Sequence, residues 1–235
     1  MGQYWDWSQL RSLLDGAPGI EADLLDRLLD SAPPSPGEYN LSPGQRVMTI
    51  VSRGTGLEAD CVEWGVPLVR PDGAIRIVGN ARSETVDRLP MFRDAFQYAR
   101  CLVPSSGFYE WGVRAAGDKQ PWYFRAEHHP LFFLAGLIVG VGRDRSLAVI
   151  TAATPETAHT RVHHRSPCVI HPEHAASWLG LPDHGAIGPR SCLRTFGSDH
   201  AFEFTGHPVS RRVNRATNND AELTRPVEPD RTLFG

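Results

Sequence analysis

Glu110 lies within Gly107-Phe108-Tyr109-Glu110-Trp111, a carboxylate hemmed in by aromatic rings. Such surroundings desolvate the charged form, raise the pKa and suit the group to moving a proton near neutral pH. The same run also fits an edge-strand glutamate whose carboxylate stays in water. A second cluster, His159-Thr-Arg-Val-His163-His164-Arg165-Ser-Pro167, offers imidazoles beside guanidinium groups, and histidine is the natural acid or base at neutral pH. His159 and His163 stand four apart, so a helix would set them on one face as metal ligands. Pro167 takes the chain out of a helix there, and neither an HExxH motif nor a third ligand follows, so no metal is expected. Asn80, Arg82 and Glu84 alternate along Asn80-Ala-Arg82-Ser-Glu84-Thr and would project to one side of an extended segment. That face would hold an anion or orient a carboxylate, or it is a polar strand side turned to solvent. Cys168 beside His163 and His164 invites a cysteine–histidine protease reading. Its run Cys168-Val-Ile instead reads as a buried strand, where a cysteine is a small hydrophobe. Cys61 and Cys101 also sit in strand patterns.

The elements that must hold these groups are mostly short strands. Residues 47–51 and 57–64 flank Arg53-Gly-Thr-Gly56 and predict a hairpin. Further strands are expected at 74–78, 99–103, 107–112, 121–126, 131–137, 146–152, 167–170 and 201–205. Helical spacing predicts helices over 6–14 and 20–30, closed by the three prolines of Ser31-Ala-Pro-Pro-Ser-Pro-Gly37. Short helices fit 91–98, 155–159 and 172–179, the last opened by a proline in its first turn. Many short strands with few long helices predict an α+β fold, a single domain over 1–235. Its core is a bent antiparallel sheet or barrel with short flanking helices. Residues 39–227 form the motif-bearing body, and 228–235 a loosely held tail.

Composition limits the rest. With 235 residues, 41% hydrophobic and 22% charged, the chain reads as an ordinary soluble globular protein. The longest apolar run, 131–139, is far short of the roughly 20 residues of a membrane span. The start, Met1-Gly2-Gln3-Tyr4-Trp5, lacks the basic and apolar regions of a secretory signal. Four separated cysteines without a CxxC exclude a zinc knuckle and suggest reduced thiols in a cytoplasmic protein. The net charge of −3 argues against nucleic acid, but residues 1–38 alone hold 7 acidic and 2 basic side chains. The body is therefore mildly basic, and 23 of the 24 basic residues are arginine, Lys119 being the one lysine. GC-rich coding explains that bias, and so does a guanidinium's fit to phosphate and base stacking.

Six ordered segments resemble the SRAP family, the SOS-response-associated peptidase proteins. They are Tyr39-Asn40-Leu-Ser-Pro43, Trp64-Gly65, Asn80-Ala-Arg82-Ser-Glu84-Thr85, Cys101-Leu-Val-Pro104 leading to Gly107–Trp111, His163-His-Arg165-Ser-Pro167, and His207-Pro-Val-Ser210. The resemblance implies a protein that recognises abasic sites in single-stranded DNA. In family members an N-terminal cysteine, exposed by loss of the initiator methionine, joins the sugar aldehyde in a thiazolidine. Carried over position by position, it gives Glu110 the task of positioning and deprotonating the N-terminal amine. His163 becomes the acid/base on the sugar ring. Asn40, Asn80, Arg82, Thr151 and Arg165 become DNA contacts, with Glu84, His207 and Ser210 as support. It implies no cofactor, no membrane and a monomeric, cytoplasmic protein associated with the nucleoid when bound to DNA.

The nucleophile departs from the pattern. Family members begin Met-Cys-Gly-Arg, whereas this chain begins Met1-Gly2-Gln3-Tyr4, so no thiol is available to close a thiazolidine. The usual tryptophan-rich loop after Gly65 is Val66-Pro-Leu-Val-Arg-Pro-Asp-Gly, which removes a surface for base stacking, worth ~1–3 kcal/mol per base. Ser166 replaces a methionine, and His164 stands where an aspartate is common. Three readings follow. Loss of Met1 would leave the Gly2 amine to form a reversible imine and support β-elimination as an AP lyase. Alternatively, the chain is a non-crosslinking single-strand binding module or a diverged relative with another ligand. A third reading takes the peptidase name literally, with Glu110 and His163 cleaving after Met1.

Overall fold

The computed structural model describes residues 1–35, 37–54, 56–113, 117–154, 162–181, 187–194 and 203–228. Fifteen strands occur among them: β1 Gln3–Tyr4, β2 Gly37–Glu38, β3 Arg46–Arg53, β4 Gly56–Trp64, β5 Val66–Val69, β6 Ile75–Val78, β7 Asn80–Arg82, β8 Arg100–Ser105, β9 Phe108–Val113, β10 Lys119–Ala126, β11 Phe132–Val139, β12 Ser146–Ala153, β13 Arg165–Pro167, β14 Val169–Ile170 and β15 Phe204–Pro208. The helices are α1 Trp7–Leu14, α2 Ala22–Asp30, α3 Arg93–Tyr98, α4 Ala175–Leu179 and α5 Pro189–Cys192, with 3₁₀ turns between some of them.

The main sheet runs β13-β12-β4-β3-β8-β11-β14, and a further pairing of β11 with β12 closes five of its strands into a barrel. This matches the bent-sheet expectation, with one difference: β12 pairs in parallel with β4 at Ser146–Leu147 and with β7 at Val149–Thr151. Side chains alternate across the barrel wall. Val47, Val51, Cys101, Val103, Leu134, Leu147 and Val149 pack into one core cluster. Their neighbours Met48, Ile50, Leu102, Phe133, Ala135, Ala148 and Ile150 pack into another with the helices. Strands buried on both faces read as unbroken apolar runs, which is why 131–137 and 146–152 were legible. The antiparallel sheet β15-β10-β9 lies beside the barrel and carries Glu110.

The expected hairpin of β3 and β4 forms, with Met48 opposite Cys61. The N-terminal helices also form, and Asp6 caps α1 in a reciprocal capping box with Gln9. Three sequence expectations shift. Residues 66–69, read as loop, pair with 75–78 as a hairpin whose Val69 and Ile75 are exposed. The expected helix at 172–179 splits into a 3₁₀ turn, Pro172–His174, and α4. Glu84 follows β7 in a turn, so it does not share an extended face with Asn80 and Arg82. The expected helix at 155–159, the start of the strand at 201–205 and the tail after Glu228 lie outside the described residues.

Candidate active site

The chain's first residues enter the barrel mouth as an extra strand. Gly2 N donates to the Gly107 carbonyl at 2.9 Å, and Ser106 N donates to the Gly2 carbonyl at 2.9 Å. Met1 pairs with Leu41: its α-amine donates to the Leu41 carbonyl at 2.6 Å, and Leu41 N donates back to the Met1 carbonyl at 2.8 Å. The amine that reaches the pocket is thus that of Met1, while the Gly2 nitrogen belongs to a backbone bridge. Gln3, read above as the loss of a family arginine, is buried. Its amide donates to the Met48 and Pro104 carbonyls, each at 2.8 Å, and accepts from Met48 N at 3.0 Å.

Two clefts of about 240 and 230 Å³ share the walls Met1, Pro43, Trp64, Tyr109 and Trp111. Glu110, Asn80 and Thr151 line the first, and Asn40 and Asn214 the second. A larger cleft of about 600 Å³ lies at the opposite end of the barrel. Its Arg53 and Arg145 are paired with Asp60, and its Arg100 donates to the Trp178, Phe96 and Gln97 carbonyls. No carboxylate or imidazole is among the described residues that line it.

Burial drives the site's electrostatics. It pulls the Met1 α-amine down from 8.0 to about 5, against the opposing pull of Glu110. It pushes Glu110 up from 4.5 to about 7, against His163 and the amine. Glu110 Oε2 stands 3.5 Å from His163 Nδ1, which also lies 2.9 Å from the Arg165 carbonyl. At neutral pH the site therefore holds a neutral amine, a carboxyl group near its midpoint and an imidazole within one Å of hydrogen-bond contact. The fold brings the aromatic-flanked glutamate and the histidine, 53 residues apart in the chain, side by side.

The remaining residues sort by environment. Asn80 and Arg82 are exposed on β7, beside β12. Asn40 is buried, and its amide donates to the Val213, Arg215 and Asn218 carbonyls, tying down the 211–219 segment. Arg165 forms a bidentate pair with Glu84 at 3.0 and 2.9 Å and donates to the Thr151 carbonyl at 2.7 Å and to Thr151 Oγ1 at 3.3 Å. Glu84 in turn accepts from Ala153 N at 3.1 Å. Arg165, Glu84 and Thr151 thus brace the start of β13, two residues after His163. His207 Nε2 bonds the Thr224 carbonyl at 2.8 Å, and Ser210 Oγ accepts from Arg212 N. Trp64 and Trp111, not singled out as site residues, form the shared walls. Trp64 donates to the Gly79 carbonyl at 2.7 Å and Trp111 to Asn214 Oδ1 at 2.8 Å. Trp64 opens the Trp64-Gly65 motif and Trp111 follows Glu110 in its own, which was the available signal.

The Arg165 pair gives a testable pH dependence. Its hydrogen bonds hold the Glu84 carboxyl down at about 2, from 4.5. A depressed folded-state pKa adds stability that is complete above 4.5 and is lost as pH falls towards 2. The melting temperature of the wild type should therefore drop across that window more than that of Glu84→Gln. Parallel acid melting curves for the two proteins would refute the pairing's contribution.

The fold and this mouth define a class. The family model described as SOS response associated peptidase (SRAP) matches residues 14–216, and the chain belongs to that family. The match begins at the end of α1, so it takes in most of the acidic segment that lies ahead of the six motifs. Among relatives, the abasic site processing protein YedK of Escherichia coli is 32% identical, over 88% of this chain and 92% of its own. The abasic site processing protein YoqW of Bacillus subtilis is 28% identical over 87% and 92%. A solved structure from Bacteroides thetaiotaomicron superposes with a TM-score of 0.67 at 22% identity, over 90% of this chain and 97% of that one. Among the described residues no helix is long and apolar enough to cross a membrane.

Proposed function

We propose that the protein binds single-stranded DNA at abasic sites and forms a reversible imine through its N-terminal amine, without the thiazolidine that an N-terminal cysteine would close. The observation that carries this reading is the buried amine of Met1 in one pocket with Glu110, whose Oε2 stands 3.5 Å from His163 Nδ1. An unprotonated amine attacks the C1′ aldehyde of the ring-opened sugar. Glu110 takes the ammonium proton from the adduct, and His163 donates one to the departing hydroxyl, so that water leaves and a C=N bond forms. Removal of a C2′ proton then expels the 3′ phosphate, which is the β-elimination of an AP lyase. Water finally returns the amine. With Met1 in place the amine is Met1's; its removal would pass the role to Gly2, whose nitrogen is otherwise held by Gly107. Exposed Asn80 and Arg82 supply phosphate and sugar contacts at the rim.

Sodium borohydride should trap a covalent adduct with abasic single-stranded DNA, and intact mass should place it on the N-terminal peptide. Lys119 is the one other primary amine in the chain, so Lys119→Arg should trap equally well. Absence of an adduct, or its loss in Lys119→Arg, would defeat the imine reading. A second reading rests on the Met1 side chain, which packs into the core with Leu41 and Phe108 and forms a wall of the pocket. On that reading the chain binds strands without covalent chemistry. Plain and abasic oligonucleotides would then bind with similar, steeply salt-dependent affinity.

A further inference from the structure

We infer that Gln3 is a positioning residue for the N-terminal amine: its side chain takes the place of a missing rung between β3 and β8 and thereby fixes how far the first two residues reach into the pocket. The inference concerns this chain's own departure from the family arginine, and it rests on the reading of that amine as the nucleophile.

The argument begins with the ladder. Strands β3 and β8 pair at Val51–Cys101 and Ile50–Leu102. Two residues further along that register, Met48 stands opposite Pro104. Proline has no N–H, so this rung cannot form in the usual way. Here the Gln3 amide enters the gap. Its Nε2 donates to both carbonyls that face the gap, Met48 and Pro104, and its Oε1 accepts from Met48 N. A primary amide is the one side-chain group that both donates twice and accepts at such a site without charge. Gln3 is 1% exposed, so water does not offer replacement partners.

The side chain is therefore an anchor, and two residues upstream lies the amine. Between them the backbone is held by Gly2 N to Gly107 O and Ser106 N to Gly2 O, and just past Gln3 by Tyr4 N to Ser106 Oγ at 3.2 Å. A shift of the Gln3 amide would move all three contacts in register. The groups that act on the amine are the Leu41 carbonyl that accepts from it and Glu110 of β9, with His163 3.5 Å from that carboxyl group. None of these touches Gln3, so a change at position 3 acts on the amine only by moving it.

The test needs no DNA. Reductive methylation of the full chain with formaldehyde and cyanoborohydride, quantified on the N-terminal peptide with Lys119 as internal standard, gives the pH midpoint of amine reactivity. Gln3→Met keeps length and bulk but makes none of the three bonds. In it the midpoint should rise from about 5 towards the ~8 of a free α-amine, with about a tenfold loss of neutral amine at pH 7. Gln3→Asn, one methylene short, should fall between. A merely structural role would lower the melting temperature of Gln3→Met and leave the midpoint where it was, which overturns the inference. Should Gln3→Met not fold, an unchanged midpoint in Gln3→Asn overturns it equally. A normal midpoint shift together with absent borohydride trapping on DNA would uphold the anchor and reject the imine.

Discussion

Glu110→Gln is expected to slow borohydride-trappable adduct formation by about 10²–10⁴-fold, the usual contribution of a positioned acid–base group. The substitution is nearly isosteric, and the fold should tolerate it, because burial already holds the carboxyl up at about 7. What is lost is the base. The Met1 amine is neutral above about 5 and so does not limit the reaction at pH 6 to 8. Glu110 does: its carboxylate fraction rises with pH through about 7, and the wild-type rate should rise with it. Its neighbour His163, 3.5 Å away, stabilises the carboxylate when protonated. In Glu110→Gln the rate should be flat across that window as well as low. The check is a single-turnover pH profile on an abasic oligonucleotide. A variant that keeps the inflection near 7 would move the base elsewhere, and a rate within threefold of wild type would remove Glu110 from the chemistry.

Glu110 and His163, which the fold brings within 3.5 Å, stand out in the sequence because of their neighbours. Glu110 is surrounded by aromatic residues, and His163 sits in an ordered motif ahead of a proline. The barrel strands were legible for a related reason, since residues buried on both faces need apolar side chains without interruption. Where local sequence says little, the reading fell short. Strand β7 is three residues long and exists through its parallel pairing with β12, a contact set by topology. Glu84 was placed on the face of Asn80 by counting alternate positions, but a turn after Arg82 directs it to Arg165 instead. Gln3 looked like a loss because a missing guanidinium is visible in a sequence, while the absent N–H of Pro104 becomes meaningful only once β3 lies beside β8. Likewise Asn40 carried a motif signal, yet its amide binds three carbonyls more than 170 residues away. Residues that hold the site together through distant backbone groups leave no mark in their own neighbourhood.

Gly107→Ala is expected to destabilise the protein by about 3 kcal/mol, at the upper end for an overpacked core, and to release the N-terminus. A Cβ at this position would stand 2.1 Å from the Tyr123 hydroxyl and 2.6 Å from the Phe124 carbonyl oxygen. The second atom is backbone in the β9–β10 ladder, Phe124 opposite Phe108, and has nowhere to go. The first belongs to a buried phenol that donates to the Ser106 carbonyl at 3.0 Å and also bonds the Tyr4 hydroxyl. Relief must therefore come from displacing residues 106–107, and those residues carry the Gly2 bridge. In a domain of this size the melting temperature should fall by about 6–12 °C. Tyr123→Phe in the same chain should not restore it, because the ring carbon at 2.3 Å and the carbonyl remain. The functional consequence separates this from an ordinary core defect. At temperatures where the variant is still folded, the pH midpoint of N-terminal labelling should rise as the amine leaves its pocket, and DNA trapping should fall. A variant that melts within 2 °C of wild type, or one that is destabilised but keeps its amine shielded, would show that the glycine of the aromatic motif is not what seats the N-terminal strand.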